Sequence, residues 1–226
     1  MKRKQYIILV IFLCCTSIVF SNTIYFDLSY VIKEPLHYTI NDAKALLKQG
    51  NVIVSEILDE SVNWQIIPVI QIDKQSFETL YEANKKERQA FTIASKINGN
   101  VHQIFISSLS SKGLSNGIYY FLQNKLGFKF YHPKETIIPD LSNYVLDTFT
   151  ETITPRFDKI GFHIHAMHPL EITEALLNEE TPNGAEEVKT YIDWLCRNGQ
   201  NYFEFNLLRS IKLKTWIPYM KPIVDY

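Results

Sequence analysis

Three histidines form the most distinctive chemical pattern in the sequence, His163-x-His165-x-x-His168. The residues around them favour a β-strand over 158–166, and alternate residues of a strand lie on the same face. His163 and His165 are therefore predicted to share a face. Imidazoles in this arrangement can bind the hydroxyl groups of a substrate, begin a zinc site, or serve as structural groups that are hydrogen-bonded within the protein.

The zinc interpretation requires ligands that the sequence does not provide. A His-x-His pair at the end of the first barrel strand begins the zinc site of amidohydrolase-type enzymes, which take further His and Asp ligands from later strands. The required set does not follow His168 here, so we expect no metal and no cofactor. The segment 113–117 is not a phosphate loop either, because it lacks the Lys-Ser/Thr pair that contacts phosphate and Mg²⁺.

A strand–helix–strand unit is predicted to position the histidines. After the strand over 158–166 and a long loop, 186–197 has the periodicity of a helix and 201–207 favours a second strand. This order predicts a parallel βαβ unit. Glu204 lies in the second strand, and its face depends on a register that the sequence leaves open. We interpret Glu204 as structural, with a place at the site as the alternative.

The preceding residues predict a separate layer of sheet and helices. The predicted strands cover 22–32, 52–54, 66–72, 90–97 and 101–107. Asn98-Gly99 is typical of the hairpin turn between the last two of these strands. Helices are predicted over 43–48, capped by Asn41-Asp42, and over 77–88.

Residues 112–139 carry the most informative pattern of this layer. The glycine-rich segment 113–117 predicts a turn, and a helix is predicted to follow it. The apolar residues of that helix have the spacing of one face, namely Ile118, Phe121, Leu122 and Leu126. Gly127 is typical of the position just after a helix. Phe128 and Phe130 then alternate in a strand that Pro133 is expected to end.

This stretch resembles the end of the small α/β domain that precedes the catalytic barrel in β-N-acetylhexosaminidases, α-glucuronidases and related bacterial glycoside hydrolases. In those enzymes a glycine-rich turn, a helix with a Tyr, a Leu-Gly pair, an aromatic-Tyr-x-Pro strand and an Ile-Pro pair follow in this order. The matching residues are Gly113, Gly117, Tyr119, Leu126, Gly127, Phe130, Tyr131, Pro133, Ile138 and Pro139. The resemblance implies a supporting domain without catalytic residues.

The segment 190–208 resembles the first helix and second strand of the (β/α)₈ barrel in the same enzymes. The matching residues are Trp194, Asn198, Asn201, Tyr202, Phe203 and Phe205. A complete barrel needs about 250 residues, so we expect only its beginning here, in a fragment or a truncated product. If the strand over 158–166 is the first of such a barrel, His165 and His168 lie near its active-site mouth, and His163, His165 and His168 are the expected contacts to carbohydrate.

Two features depart from the hexosaminidase pattern. Those enzymes place an Arg before the glycine of the first barrel strand, where it holds the terminal sugar, whereas Ile160 precedes Gly161 here. Glycoside hydrolysis needs two carboxylates, or one with substrate assistance. In the relatives these groups lie on a later strand, which is not in this chain. The resemblance therefore implies no catalytic residue here, and the chain alone is expected to lack glycosidase activity.

The first 21 residues predict a signal peptide. Three basic residues at 2–4 precede the apolar run 6–19, and Val19-Phe20-Ser21 suits a signal peptidase. An uncleaved anchor is the alternative, but the run is short for a membrane span of about 20 residues. A lipoprotein is disfavoured, because Leu13 before Cys14 is not the small residue that acylation requires. We expect export, to the periplasm, the cell surface or the medium, with no membrane span in the mature chain.

Composition narrows the partners and the fold class. The net charge is −1 and no basic stripe follows the N-terminus, which argues against nucleic acid as a partner. A hydrophobic fraction of 46% suits a packed core. After loss of the signal peptide Cys196 stands alone, and its apolar helical setting predicts a small core residue.

These observations predict an α/β chain with an α+β accessory domain. Its expected parts are a signal peptide at 1–21, a hexosaminidase-like domain at 22–140, a linker at 141–155, and the beginning of a glycosidase barrel at 156–226. The expected function is that of the N-terminal part of a secreted glycoside hydrolase acting on a glycan or oligosaccharide. The alternative is a non-catalytic carbohydrate-binding or scaffolding protein derived from that fold. The sequence leaves the glycan and the oligomeric state open.

Overall fold

The structure, a computed structural model, describes residues 21–31, 33–70, 87–165 and 184–206. Within these ranges the chain forms a six-stranded mixed sheet with two helices, a β-hairpin, and a strand–helix–strand unit. The predicted α/β class is therefore confirmed. Residues 1–20 of the predicted signal peptide and His168 lie outside the described residues, as does most of the helix predicted over 77–88. No helix among the described residues is long and apolar enough to cross a membrane.

The six-stranded sheet is mostly parallel. Its strands are β1 (Thr23–Phe26), β2 (Ile53–Ser55), β3 (Trp64–Ile70), β4 (Phe91–Asn98), β5 (Val101–Ser108) and β8 (Thr150–Ile153), and their order is β2-β1-β3-β5-β4-β8. The first four strands of this order run parallel, while β4 runs antiparallel to both of its neighbours. The predicted hairpin is confirmed, because β4 and β5 pair around Gly99, whose φ is +60°.

Two helices, α1 (Lys33–Gln49) and α2 (Ser111–Tyr120), close the apolar core of this region. The apolar helix face that the sequence predicts is buried in this core, as shown by the side chains of Ile118, Phe121, Leu122 and Leu126 on α2 and the turn after it. They pack with residues of the central strands, such as Ile66, Ile104 and Ile106. Because all these side chains are removed from water, this cluster supplies the main hydrophobic stabilisation of the region.

The glycine-rich segment 113–117 lies inside α2, so the prediction of a turn there is wrong. The helix begins after Ser110, whose hydroxyl accepts a hydrogen bond from the backbone N–H of Gly113 (3.1 Å). A Cβ at Gly113 would lie 2.6 Å from the carbonyl oxygen of Ala90, and one at Gly117 would collide with Ile106. The two glycines therefore let α2 approach the sheet closely.

The end of this helical segment follows the prediction. Its last turn, Phe121–Lys125, is a π-helix. Gly127 has a φ of +89°, which glycine adopts at low cost, and the N–H of Phe128 donates to the carbonyl oxygen of Leu122 (3.0 Å). The chain then enters the hairpin of β6 (Lys129–His132) and β7 (Glu135–Ile137). Pro133 lies at its turn, so the strand ends where expected.

Two further predictions in this region need correction. α1 begins at Lys33, ten residues before the predicted helix, so Asn41 and Asp42 lie inside it and do not cap it. Pro35 is tolerated because it falls in the first turn, where a backbone N–H has no helical partner. In addition, β8 lies within the predicted linker 141–155 and pairs with β4 at the edge of the sheet. The β-branched residues of β8 therefore extend the sheet.

The predicted parallel βαβ unit is confirmed. It consists of β9 (Gly161–His165), α3 (Gly184–Arg197) and β10 (Tyr202–Asn206). The two strands pair in parallel over five residues, from Gly161 opposite Tyr202 to His165 opposite Asn206. We call β1–β8 with α1 and α2 the sheet region, and β9, α3 and β10 the βαβ unit.

Candidate functional site

The register of β9 and β10 determines which positions neighbour the histidines. His163 is paired with Glu204, and His165 is paired with Asn206. The strand register, which the sequence left open, therefore places Glu204 beside a predicted site residue. His168 lies outside the described residues, so its position relative to this pair stays a prediction.

The two faces of the β9–β10 pair differ in chemistry. Positions 161, 163, 165, 202, 204 and 206 form one face because register partners and alternate residues of parallel strands share a side. This polar face carries Gly, His, His, Tyr, Glu and Asn, whereas the opposite face carries Phe162, Ile164, Phe203 and Phe205. The apolar face suits cover by a crossover helix. Gly161, Tyr202 and Glu204 on the polar face are exposed to solvent.

The amino end of the strand pair is closed by hydrogen bonds. Asn201 accepts from the N–H of Ile160 (2.9 Å) and donates from Nδ2 to the carbonyl oxygen of Asp158 (2.8 Å). A Cβ at Gly161 would collide with the backbone of Tyr202, so only glycine allows the strands to approach this closely. The carboxyl end carries His165 and Asn206, and ligand sites of parallel α/β folds form at that end of the strands.

The sheet region is attached to the βαβ unit at the amino end of its strands. Three side chains of the sheet region donate to backbone carbonyl oxygens of the following residues: Gln89 Nε2 to Asp158 (2.7 Å), Lys112 Nζ to Gln200 (3.2 Å) and Gln123 Nε2 to Arg197 (2.7 Å). In the other direction, Trp194 Nε1 and Asn198 Nδ2 donate to the carbonyl oxygen of Phe130 (2.9 and 3.1 Å). All these contacts fall before β9 or between the last turns of α3 and the start of β10. These hydrogen bonds therefore lie at the opposite end from His165 and Asn206, whereas the Lys134–Glu187 ion pair (3.8 Å) joins the sheet region to the first turn of α3.

An ion pair completes this attachment. The Arg197 guanidinium donates to both carboxylate oxygens of Asp42 (2.9 and 2.6 Å), and the Tyr119 hydroxyl donates to the same carboxylate (3.0 Å). Burial alone would lower the pKa of Arg197, but the hydrogen bonds and charge of Asp42 outweigh it, and the pKa is raised. Burial, followed by the charge of Asp42, raises the pKa of Tyr119. The raised pKa values keep Arg197 charged and the Tyr119 hydroxyl protonated at neutral pH, which suits a structural clamp.

Cys196 lies beside this clamp and is not suited to nucleophilic chemistry. Burial raises the pKa of the Cys196 thiol, although the nearby Lys112 acts in the opposite direction. A raised pKa keeps the thiol protonated, and the thiolate is the reactive form. The cysteine is free and partly buried, and it packs against the core cluster, in keeping with the role predicted for it.

Within the part of the chain that the structure describes, no three His, Cys, Asp or Glu side chains are grouped as metal ligands would be. The register adds two exposed polar residues to the face of the histidines, Tyr202 and Glu204, which the sequence analysis did not include among the site residues. The alternation of polar residues in Tyr202-x-Glu204-x-Asn206 was the available signal, because it matches the alternation of His163-x-His165 on the neighbouring strand.

Comparison with known proteins gives matches among solved structures alone. No protein-family model matches the sequence, and no curated protein matches it. One similar structure is a GH115 4-O-methyl-α-glucuronidase, BtGH115A, with specificity for decorated arabinogalactans; its TM-score is 0.52 at 16% identity, over 82% of this chain and 25% of that one. The chain has a glycoside hydrolase-like fold.

A second similar structure is a GH138 enzyme targeting pectin rhamnogalacturonan II. It gives a TM-score of 0.47 at 12% identity, over 86% of this chain and 27% of that one. The chain thus spans about a quarter of the length of the solved structures that it matches. At these identities the likeness concerns the fold alone.

Proposed function

We propose that this chain is the N-terminal part of an exported glycoside hydrolase that cleaves O-glycosyl bonds of glycans. In this proposal the catalytic carboxylates lie on elements outside the chain. His163, His165 and His168 contact the carbohydrate, and the sheet region supports the barrel of which the βαβ unit is the beginning. No metal or cofactor takes part.

The observation that carries this proposal is the polar face of the β9–β10 pair. Imidazole, carboxylate and amide groups at neighbouring register positions provide the donors and acceptors that sugar hydroxyls need. The face is exposed at Gly161, Tyr202 and Glu204. The side-chain hydrogen bonds from the sheet region to Asp158, Arg197 and Gln200 are at the amino ends of the strands, whereas His165 and Asn206 are at the carboxyl ends.

A second candidate function is carbohydrate binding or scaffolding without catalysis. It is favoured by Ile160, which stands where hexosaminidases place the Arg that holds the terminal sugar. The same polar face would then bind a glycan without cleaving it. The two functions differ in turnover and share the binding residues.

The test uses the intact natural protein and a panel of neutral and uronate-containing oligosaccharides, with binding followed by calorimetry and cleavage by chromatography. We expect His165→Ala to weaken binding or turnover by about 10-fold or more with an unchanged melting temperature, as loss of a hydrogen-bonding group predicts. His132→Ala is the matched control, because His132 is an exposed strand histidine of the sheet region.

The outcomes separate the candidates. Cleavage that depends on His165 supports the hydrolase, and binding without cleavage supports the second function. Failure of the wild-type protein to bind or cleave any member of the panel contradicts both. A folding defect in His165→Ala with unchanged affinity of the folded fraction would make His165 a structural residue.

Export is tested separately. If the signal peptide is cleaved after Ser21, the N-terminus of the protein recovered outside the cytoplasm will be Asn22 by mass spectrometry. A cytoplasmic protein that retains residues 1–21 would contradict this part of the proposal.

A further inference from the structure

Tyr202 and Glu204 form a polar pair on the face that carries the histidines. The Tyr202 hydroxyl donates to Oε2 of Glu204 (3.3 Å), and both residues are exposed. The Lys159 ammonium lies 4.8 Å from the centre of the Tyr202 ring. The ring is therefore held from the amino end of the strand while its hydroxyl is directed along the strand to the carboxylate.

The position of this carboxylate is defined by the register. Glu204 lies opposite His163, and the next pair along the face toward the carboxyl end is Asn206 opposite His165. A carboxylate accepts through two oxygens and an amide both donates and accepts, so the face combines acceptors with the donors that imidazoles supply. This combination matches vicinal hydroxyl groups, each of which donates one hydrogen bond and accepts others.

We propose that Glu204 is a further glycan-contacting residue, positioned by Tyr202, and that this face recognises sugars through hydroxyl groups and not through a sugar carboxylate. The proposal rests on the proposed function, because it assumes that the polar face binds carbohydrate. A carboxylate forms strong, charge-assisted hydrogen bonds with hydroxyl donors. It repels a uronate carboxylate placed at the same position. Glu204 therefore favours neutral sugar rings over uronic acids at this subsite.

The alternative role for Glu204 is purely structural, as a partner for Tyr202 within the strand. The hydrogen bond between Tyr202 and Glu204 is exposed to solvent, so this bond by itself adds little to stability. A structural role predicts a change in folding on substitution and no change in ligand preference. A binding role predicts a change in ligand preference on substitution and no change in folding.

The test measures the affinity of the intact natural protein for neutral oligosaccharides and for matched oligosaccharides that contain a uronate. We expect Glu204→Gln to weaken binding of the neutral ligands by about 10- to 100-fold, the loss expected for a charge-assisted hydrogen bond. Tyr202→Phe removes only the positioning hydroxyl, and a smaller loss of about 3- to 10-fold is expected. Glu204→Gln should also narrow the preference for neutral ligands over uronates, which a structural role would not do.

The β6–β7 hairpin supplies a matched control. Glu135 is exposed and is the register partner of His132, so it reproduces a strand Glu opposite a strand His away from the polar face. Glu135→Gln should leave affinity and preference unchanged. If Glu204→Gln fails to fold, Tyr202→Phe carries the test by its affinity and preference alone.

The results distinguish this inference from the proposed function. If the wild-type protein binds no glycan, both fail. If it binds and His165→Ala loses affinity while Glu204→Gln and Tyr202→Phe do not, the proposed function stands and this inference is wrong. A wild-type preference for uronates at this site would also overturn it.

Discussion

The sheet region encloses an apolar core between a six-stranded sheet and two helices, whereas the strands of the βαβ unit expose Gly161, Tyr202 and Glu204 to solvent. Hydrophobic burial stabilises the sheet region, and polar contacts attach the βαβ unit to the sheet region. In the proposed function, the sheet region is the supporting base and the βαβ unit carries the recognition surface.

The largest effect should come from a cavity in the core of the sheet region. Phe121 is fully buried beside Phe149, so Phe121→Ala should lower the free energy of unfolding by about 3–5 kcal/mol. Urea unfolding measures this loss. Phe157 is 57% exposed, and Phe157→Ala should change the free energy by about 0.5 kcal/mol or less. Similar losses for both variants would contradict the packing described for the core.

The next largest effect should be a loss of stability in the βαβ unit that leaves the sheet region protected. Removing one partner of the partly buried Asp42–Arg197 pair leaves the other charge uncompensated, and Arg197→Gln should cost about 2–4 kcal/mol. Amide hydrogen exchange should quicken mainly in α3 and β10, with the central strands of the sheet region still protected. The control is Lys189→Gln, which breaks the Lys189–Asp193 pair on the surface of α3 and should cost about 0.3–0.5 kcal/mol. Uniform loss of protection in both regions would show that the clamp does not act locally.

The smallest predicted effect is a pH dependence of the sheet region. His102 on β5 is buried, and burial lowers its pKa below 6.5, although the charge of Asp147 acts in the opposite direction. The unfolded state therefore binds more protons below pH 6.5, so stability should be full above that pH and fall as the solution is acidified. Melting temperatures at pH 7.5 and 5.5 measure the slope. His102→Gln should flatten this slope, and an unchanged slope in His102→Gln would assign the pH dependence to other groups.

Local patterns in the sequence were sufficient to predict several elements of the sheet region and of the βαβ unit. The Asn98-Gly99 turn, the apolar face that contains Phe121, and the glycine at 127 each follow from residues near in sequence. The parallel βαβ unit could also be predicted from the sequence, because its hydrophobic periodicity changes between strand and helix. These features depend on local backbone preferences, which a sequence displays directly.

Long-range contacts account for what the sequence did not reveal. Asp42 looked like a helix cap because its partner Arg197 lies 155 residues away. The glycines at 113 and 117 looked like a turn because a requirement for close packing against a sheet has the same composition. The face on which Glu204 lies depends on the strand register, because a shift of one residue would move its side chain to the opposite face.

The most direct measurement compares amide hydrogen exchange with and without a bound oligosaccharide in the intact protein. We expect slower exchange in 161–165 and 202–206 when the glycan binds, and no change in the central strands β1, β3 and β5. We also expect His165→Ala to abolish this protection at a glycan concentration that saturates the wild type. Protection confined to the sheet region, or binding without any change at β9 and β10, would contradict the claim that the βαβ unit carries the recognition surface.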